Sequence, residues 1–408
     1  MSMLKNNLSF LMVILGVAFE HFDMLLMSLL ASSIVSEFVG VHSPQLNMIY
    51  GFVGYSIAFF FRPLGAFCFG CMGDLYGRKT AILGSMLLMS GVTLGLAFVP
   101  GYQAIGMAST VLFLLCRIGQ GLAVGGEYGT AMTYAFEFNE KRRTFYGACV
   151  VSATHLGGVS ATFLASQYAD QFRLIFFFAG LLGLLLLVFR SFMKESHAIS
   201  RKKASVKNVS VIATETVKDK RPLLHATVIA STLVLVFYGS LIYLNEFMHQ
   251  NLGISRSQIF KGNTVLLLLW VILPPCFGYM IDRLNLDYRK IMKIGAAGVF
   301  LISPLLGLSL GSSSYFWVLI TQICLHVFHM LFCLCTPRFF GELFSEKVRN
   351  TAVSTTYSLG SSFTSALAPA LCYGSVVIFD SSFFICLPFM GIACLTLILL
   401  KRKSYATR

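Results

Sequence analysis

The stretch "GVAFEHFDMLLMSLLASSI", Gly16–Ile34, decides the fold. Nearly all of it is apolar, and as a helix it nearly crosses a bilayer core about 30 Å thick. Yet it contains Glu20, His21 and Asp23. A charge at the centre of a membrane helix costs about 2.5–3.5 kcal/mol on insertion scales. Two carboxylates three residues apart share one helical face. That face is expected to look at a water-filled cavity, a partner cation, or both.

The whole chain supports the membrane reading. Its 408 residues are 56% hydrophobic and 12% charged, with a mean hydropathy of +0.77. A soluble chain carries about twice that charged fraction. Twelve apolar segments are expected as membrane helices, at 9–35, 46–70, 80–99, 104–134, 145–168, 172–193, 223–247, 262–281, 291–310, 315–336, 350–375 and 382–400. The first is too long for a cleaved leader and lacks a small-residue cleavage site.

The formal charge of +14 would suit nucleic acid, but its placement argues otherwise. Lys and Arg cluster in alternate loops, at 77–79, 140–143, 201–203, 218–221, 287–290, 345–349 and 401–403, whereas the intervening loops hold only Arg173, Arg256 and Lys261. This is the positive-inside pattern, and it puts both termini in the cytoplasm. The clusters are read as facing anionic lipid. The 11 cysteines lie scattered through apolar segments, and "CFGC" at 68–71 has no second pair. They are expected as packing residues.

Residues 194–222 are basic and rich in Ser and Thr, as expected of a flexible cytoplasmic linker between a six-helix bundle at 1–193 and another at 223–408. The halves share local sequence. "FGCMGD" at 69–74 answers "FGYMID" at 277–282, and "EFNEKRR" at 137–143 answers "ELFSEKVR" at 342–349. Two matches at equivalent places indicate a duplicated unit. Such duplicated helical halves build secondary transporters, with the binding site between them near the midplane.

Arg62, in "FFFRPLGAF", and Arg117, in "LLCRIGQGLAVGGEYG", are the expected partners of Glu20 or Asp23, or of a substrate carboxylate. A guanidinium stays charged and grips a carboxylate at two points. Glu127 reads as a gate ion pair or a second proton site. Asp74, beside Arg78 and Lys79, is placed to cap a helix N-terminus or pair with a base, and so to latch one conformation. Tyr243 and Glu246 fall in "IYLNEFMHQ" on the seventh helix. His326, His329 and Cys333 share a face of the tenth. That spacing suits a metal less than hydrogen bonds in a polar cavity, with proton or substrate contact also open.

These motifs together resemble the major facilitator superfamily, and within it the metabolite:proton symporters. "GDLYGRK" at 73–79 looks like that superfamily's loop between its second and third helices. "GVAFEHFDMLLMSLLA" is similar to its first helix, with His21 where Trp is usual. "RPLGAFCFGCMGDLYGRK", "VPGYQAIG", "RIGQGLAVGGEYG" and "GELFSEKVRNTAVSTTYSLG" follow in the family's order. Helices two to four look most like proline/glycine-betaine symporters.

The resemblance implies an all-α, twelve-helix fold in two pseudo-symmetric bundles, with alternating access. It places Glu20 and Asp23 on the family's first-helix acids and Arg117 and Glu127 on its fourth-helix motif, and proton coupling is expected of these four. It places Arg62 on the family's second-helix Arg-Pro pair, and substrate contact is expected of Arg62, His21, Tyr243, His326 and His329. The latch falls on Asp74 and Arg78, with Asp282 and Arg283 as the second-half counterpart.

The expectation is a proton-coupled carrier of a small zwitterionic or anionic metabolite, monomeric, in the inner membrane, with the proton as coupling ion and no metal or other cofactor. A proton-driven antiporter and a non-transporting solute sensor are the alternatives. An enzyme is not expected, because no Ser/His or metal-binding pairing stands out.

Overall fold

Membrane-length helices form where about 20 or more apolar residues run together, because every backbone polar group must be bonded within the segment. The structure, a computed structural model, describes residues 2–39, 44–168, 171–196, 208–312 and 314–401. Among these, twelve helices are long and apolar enough to cross a membrane. The first six are α1 (Ser2–Leu29), α2 (Pro44–Tyr76), α3 (Arg78–Phe98), α4 (Met107–Phe138), α5 (Arg143–Tyr168) and α6 (Phe172–Ser191). The second six are α7 (Lys220–Tyr238), α8 (Arg256–Arg283), α9 (Tyr288–Gly311), α10 (Tyr315–Cys333), α11 (Arg349–Ile378) and α12 (Cys386–Lys401), which reaches membrane length with the helical turn Ser382–Ile385 before it. The described residues contain no strand.

All twelve expected segments are present, with ends that differ. Several helices run past the apolar stretch into polar sequence, as α2 does to Tyr76 and α8 from Arg256. Caps, rather than hydropathy, set these ends. Ser255 accepts from the Gln258 N–H at the start of α8, and Asp287 and Asp219 do the same for α9 and α7. The first segment, expected unbroken to 35, stops at Leu29 and restarts as a short helix, Ala31–Phe38. Past Tyr238, α7 passes through a π-helical turn, Gly239–Tyr243, and resumes as Leu244–Leu252.

Within the expected linker, Val209–Val217 is a helix. Its Ile212 is fully buried and clusters with Cys71 and Val348, so this segment is anchored by one apolar side chain. Residues 197–207, the clusters at 201–203 and 402–403, and the tail beyond 401 lie outside the described residues.

By proximity the chain divides into two compact units, 1–138 with 153–218 and 345–358, and 139–152 with 219–344 and 359–408. This membership differs from the expected bundles in two places. The start of α5 belongs to the second unit, and the start of α11 belongs to the first.

In the first unit, α2 packs against α4 and α3 against α6. Lipid gives helices no hydrophobic reason to associate, so close backbone approach does the work. A Cβ on Gly121 would strike the carbonyl of Ala58, and one on Gly125 that of Arg62. The core beside this contact holds Phe19, Leu26, Phe38, Met86, Phe113 and Phe176. In the second unit, α9 packs on α10 and α12 around Leu244, Leu306, Leu325 and Phe389.

Candidate functional site

The i, i+3 spacing of Glu20 and Asp23 turns both into the first unit, where they are 2% and 0% exposed. Asp23 Oδ1 accepts from Thr93 of α3 at 2.9 Å, and Oδ2 accepts from Gln120 of α4 at 2.7 Å. Arg117 donates to the Gln120 carbonyl at 2.5 Å. In place of the expected guanidinium grip, a hydroxyl and an amide hold Asp23, and Arg117 is linked to it through Gln120. Asp23 is therefore closed in by helices instead of lining a wet passage.

Glu20 differs. Among the described residues neither of its oxygens accepts a hydrogen bond. It lies within electrostatic reach of Glu127, Arg62, Arg190 and Asp23. It borders a cavity with room for about one water molecule, lined also by Gly16, Ser85, Glu127 and Arg190.

Across this cavity Arg190 of α6 pairs with Glu127 at 2.6 Å. Ser85 donates to the other Glu127 oxygen at 2.8 Å. Arg190 also donates to the Met12 and Val13 carbonyls, both at 2.9 Å, and the bare Cα of Gly16 leaves room for the guanidinium. Glu127 thus has the cation partner that a gate ion pair requires.

Arg62 is buried over the Phe59 ring, 5.3 Å from its centre, and forms no ion pair with Glu20 or Asp23 among the described residues. His21 is tied to the Val17 carbonyl and meets the Tyr128 ring edge-on at 5.5 Å; Tyr128 in turn packs on Tyr357 at 4.6 Å.

In the second unit a polar chain crosses three helices. Trp270 Nε1 donates to His326 Nδ1 at 3.0 Å. An indole nitrogen only donates, so Nδ1 is unprotonated and Nε2 carries the hydrogen. Nε2 then donates to the Ser240 hydroxyl at 2.8 Å, which passes its own hydrogen to the Val236 carbonyl at 2.6 Å. Gln322 donates to the Ser240 carbonyl at 3.0 Å, fixing the π-turn from outside. His326 is thereby held as the neutral Nε2–H tautomer. His329 packs against Trp270 at 5.4 Å. Tyr243 ends the π-turn against Phe247 and Tyr373. No group of three metal-ligating side chains forms among the described residues.

Asp74, expected in a latch with Arg78, caps a helix start. Asp74 Oδ1 receives Arg78 at 2.6 Å and the Asn350 N–H at 3.2 Å. Oδ2 receives the Thr351 N–H at 2.9 Å and its hydroxyl at 2.7 Å. One carboxylate therefore satisfies orphan N–H groups at the start of α11 and pairs with a base. The buried Arg78 continues to Glu137 at 3.0 Å, and Arg349 meets the same Glu137 oxygen at 3.1 Å. Gly77, at φ 111°, makes the tight turn that brings Arg78 back to Asp74.

The second-half counterpart is built from a different base. Asp282 accepts from the Phe145 N–H, near the start of α5, at 2.8 Å. Its cation is Arg338 at 3.3 Å, not the expected Arg283. Arg283 follows Asp282 directly on α8, points elsewhere, and lies over the Tyr279 ring. Arg338 also meets Glu342 at 3.2 Å. Glu137 and Glu342 hold matching places in the two repeats.

Sequence reasoning missed Arg190, Gln120, Thr93, Ser85, Trp270 and Arg338. Arg190 sits near the end of an apolar helix and reads as a topology charge. The small hydroxyl residues give no signal until a buried acid is known to need donors.

The chain belongs to the Major Facilitator Superfamily, which it matches over residues 10–354. It is therefore a membrane transport protein and not an enzyme, as expected. It is 28% identical over 381 residues to a shikimate transporter of Escherichia coli (strain K12), covering 87% of this chain and 85% of that one. It is 26% identical over 378 residues to a Staphylococcus aureus (strain COL) protein named for proline/betaine transport, covering 87% and 79%. The fold superposes on the proton:xylose symporter XylE bound to 6-bromo-6-deoxy-D-glucose with a TM-score of 0.80 at 15% identity, covering 97% and 95%.

Proposed function

We propose that the chain is a proton-coupled symporter that takes up a small zwitterionic or anionic metabolite by alternating access. One observation carries the reading. Glu20 is buried in a membrane helix with no hydrogen-bond donor among the described residues, beside the Glu127–Arg190 pair. A carboxylate so placed is costly as an anion and is relieved by taking up a proton. Once protonated it can donate to Glu127, and the Arg190 bond then has a competitor.

In this reading Glu20 carries the proton, and Glu127 with Arg190 responds to it. Asp23, Gln120 and Arg117 fix the geometry of α1 against α4. Arg62, His21, Tyr243 and His329 are the candidate solute contacts, and His326 positions the π-turn of α7. Asp74 with Arg78, and Asp282 with Arg338, hold the starts of α11 and α5 and release them as the conformation changes. The positive-inside pattern supports cytoplasmic termini and an inner-membrane setting. The relatives named for proline/betaine and shikimate transport support the metabolite class.

Thermal-shift screening of the purified protein against amino acids, betaines and carboxylates tests the class, because a true ligand stabilises the folded form. The hit is then offered to proteoliposomes. Accumulation under an inward proton gradient supports symport. Accumulation only under the reverse gradient would replace it with antiport, and binding without accumulation would leave a sensor.

A further inference from the structure

Within the second unit an open cavity of roughly 830 Å³ lies among Glu140, Lys141, Arg142, Tyr279, Asp282, Arg283 and Arg338. It belongs to neither the α1 acids nor the Trp270–His326 chain. Four cations face two carboxylates across it. Asp282 is already taken by Arg338 and the Phe145 N–H. Among the described residues Lys141, Arg142 and Arg283 form no ion pair. The Arg142 and Arg283 guanidiniums instead flank one ring, 5.6 and 6.0 Å from the centre of Tyr279. Two planar forks and an ammonium are thus gathered on one concavity with charge to spare.

Leu286, which lines the cavity, is 43% exposed, and Met280 and Leu284, close to it in the chain, are 50% and 58% exposed. They lie at the end of α8, a helix long and apolar enough to cross a membrane. A basic cavity with exposed apolar side chains close by suits the chemistry of a phosphate group attached to an acyl chain.

We propose that this cavity binds a phosphate-bearing anion through Lys141, Arg142 and Arg283, supplied either by an anionic phospholipid headgroup or by free phosphate. The occupant lies beside Arg338, so it competes with Asp282 for that guanidinium and loosens the hold on α5.

Native mass spectrometry and thermal shift on the full-length detergent-solubilised protein test this, with dioleoylphosphatidylglycerol, dioleoylphosphatidylcholine and inorganic phosphate as separate probes. Phosphatidylglycerol binds in preference to phosphatidylcholine. Its affinity falls roughly twenty-five-fold in Arg142→Ala/Arg283→Ala, at about a factor of five per lost cation. It is unchanged in Arg256→Ala/Lys261→Ala, which removes equal charge at exposed positions outside the basic clusters. Binding of phosphate but not of the anionic lipid keeps the site and assigns it to the free anion. Equal affinity in the cavity variant and the parent, or no preference for either anion over phosphatidylcholine, overturns the proposal. Arg142 and Arg283 are exposed, and the lipid-free melting temperature of the variant checks its folding.

Discussion

Arg190 of α6 holds Glu127 of α4 at 2.6 Å, with both side chains buried in the first unit. Removing one partner of such a pair strands the other as an uncompensated charge, which costs about 3–5 kcal/mol. Arg190→Met should therefore lower unfolding stability by that amount in detergent. Arg190→Met/Glu127→Gln should recover much of it. Equal destabilisation in the single and double variants would mean the pair is not the source.

Asp74 caps α11 with the same carboxylate that pairs with Arg78. Asp74→Asn keeps one acceptor and loses the charge. Hydrogen exchange at the Asn350 and Thr351 amides should speed up, with no matching change at the Phe145 amide held by Asp282. Thr351→Val removes only the hydroxyl bond and should cost about 0.5–1.5 kcal/mol.

Both oxygens of Asp23 are engaged, by Thr93 and by Gln120. Asparagine offers one oxygen for two donors, so Asp23→Asn strands a buried group at about 1–3 kcal/mol. Its transport loss should track its thermal destabilisation. Full stability with no concentrative uptake would instead move the proton to Asp23.

Trp270 and Trp317 are the chain's two tryptophans, one buried and the other exposed. In a Trp317→Phe background, emission reports Trp270 alone. His326→Leu removes the acceptor of its indole N–H, so the emission maximum should move to shorter wavelength and stability should fall by about 1–3 kcal/mol. Unchanged emission would show that the indole bond is not made in solution.

The fold was legible because bilayer thickness imposes a length that apolar runs report directly. The acids of α1 stood out for the same reason, as charges where charges are expensive. Their partners did not. Arg62 and Arg117, lying mid-helix, are the cations the sequence offers, yet Arg190, near a helix end, reaches Glu127, and Gln120 stands between Arg117 and Asp23. Which side chains meet across helices depends on rotation about each helix axis, and one sequence does not encode that locally. Arg338 was hidden likewise, because Asp282 already had an arginine next to it in the chain.

The most direct measurement compares Glu20→Gln with the parent protein in proteoliposomes, using the solute that the thermal-shift screen identifies. The parent should concentrate it under an inward proton gradient. The variant should lose accumulation yet keep exchange of labelled for unlabelled solute, because the neutral amide mimics the protonated acid. Undiminished concentrative uptake by Glu20→Gln would contradict the assignment of the proton to Glu20.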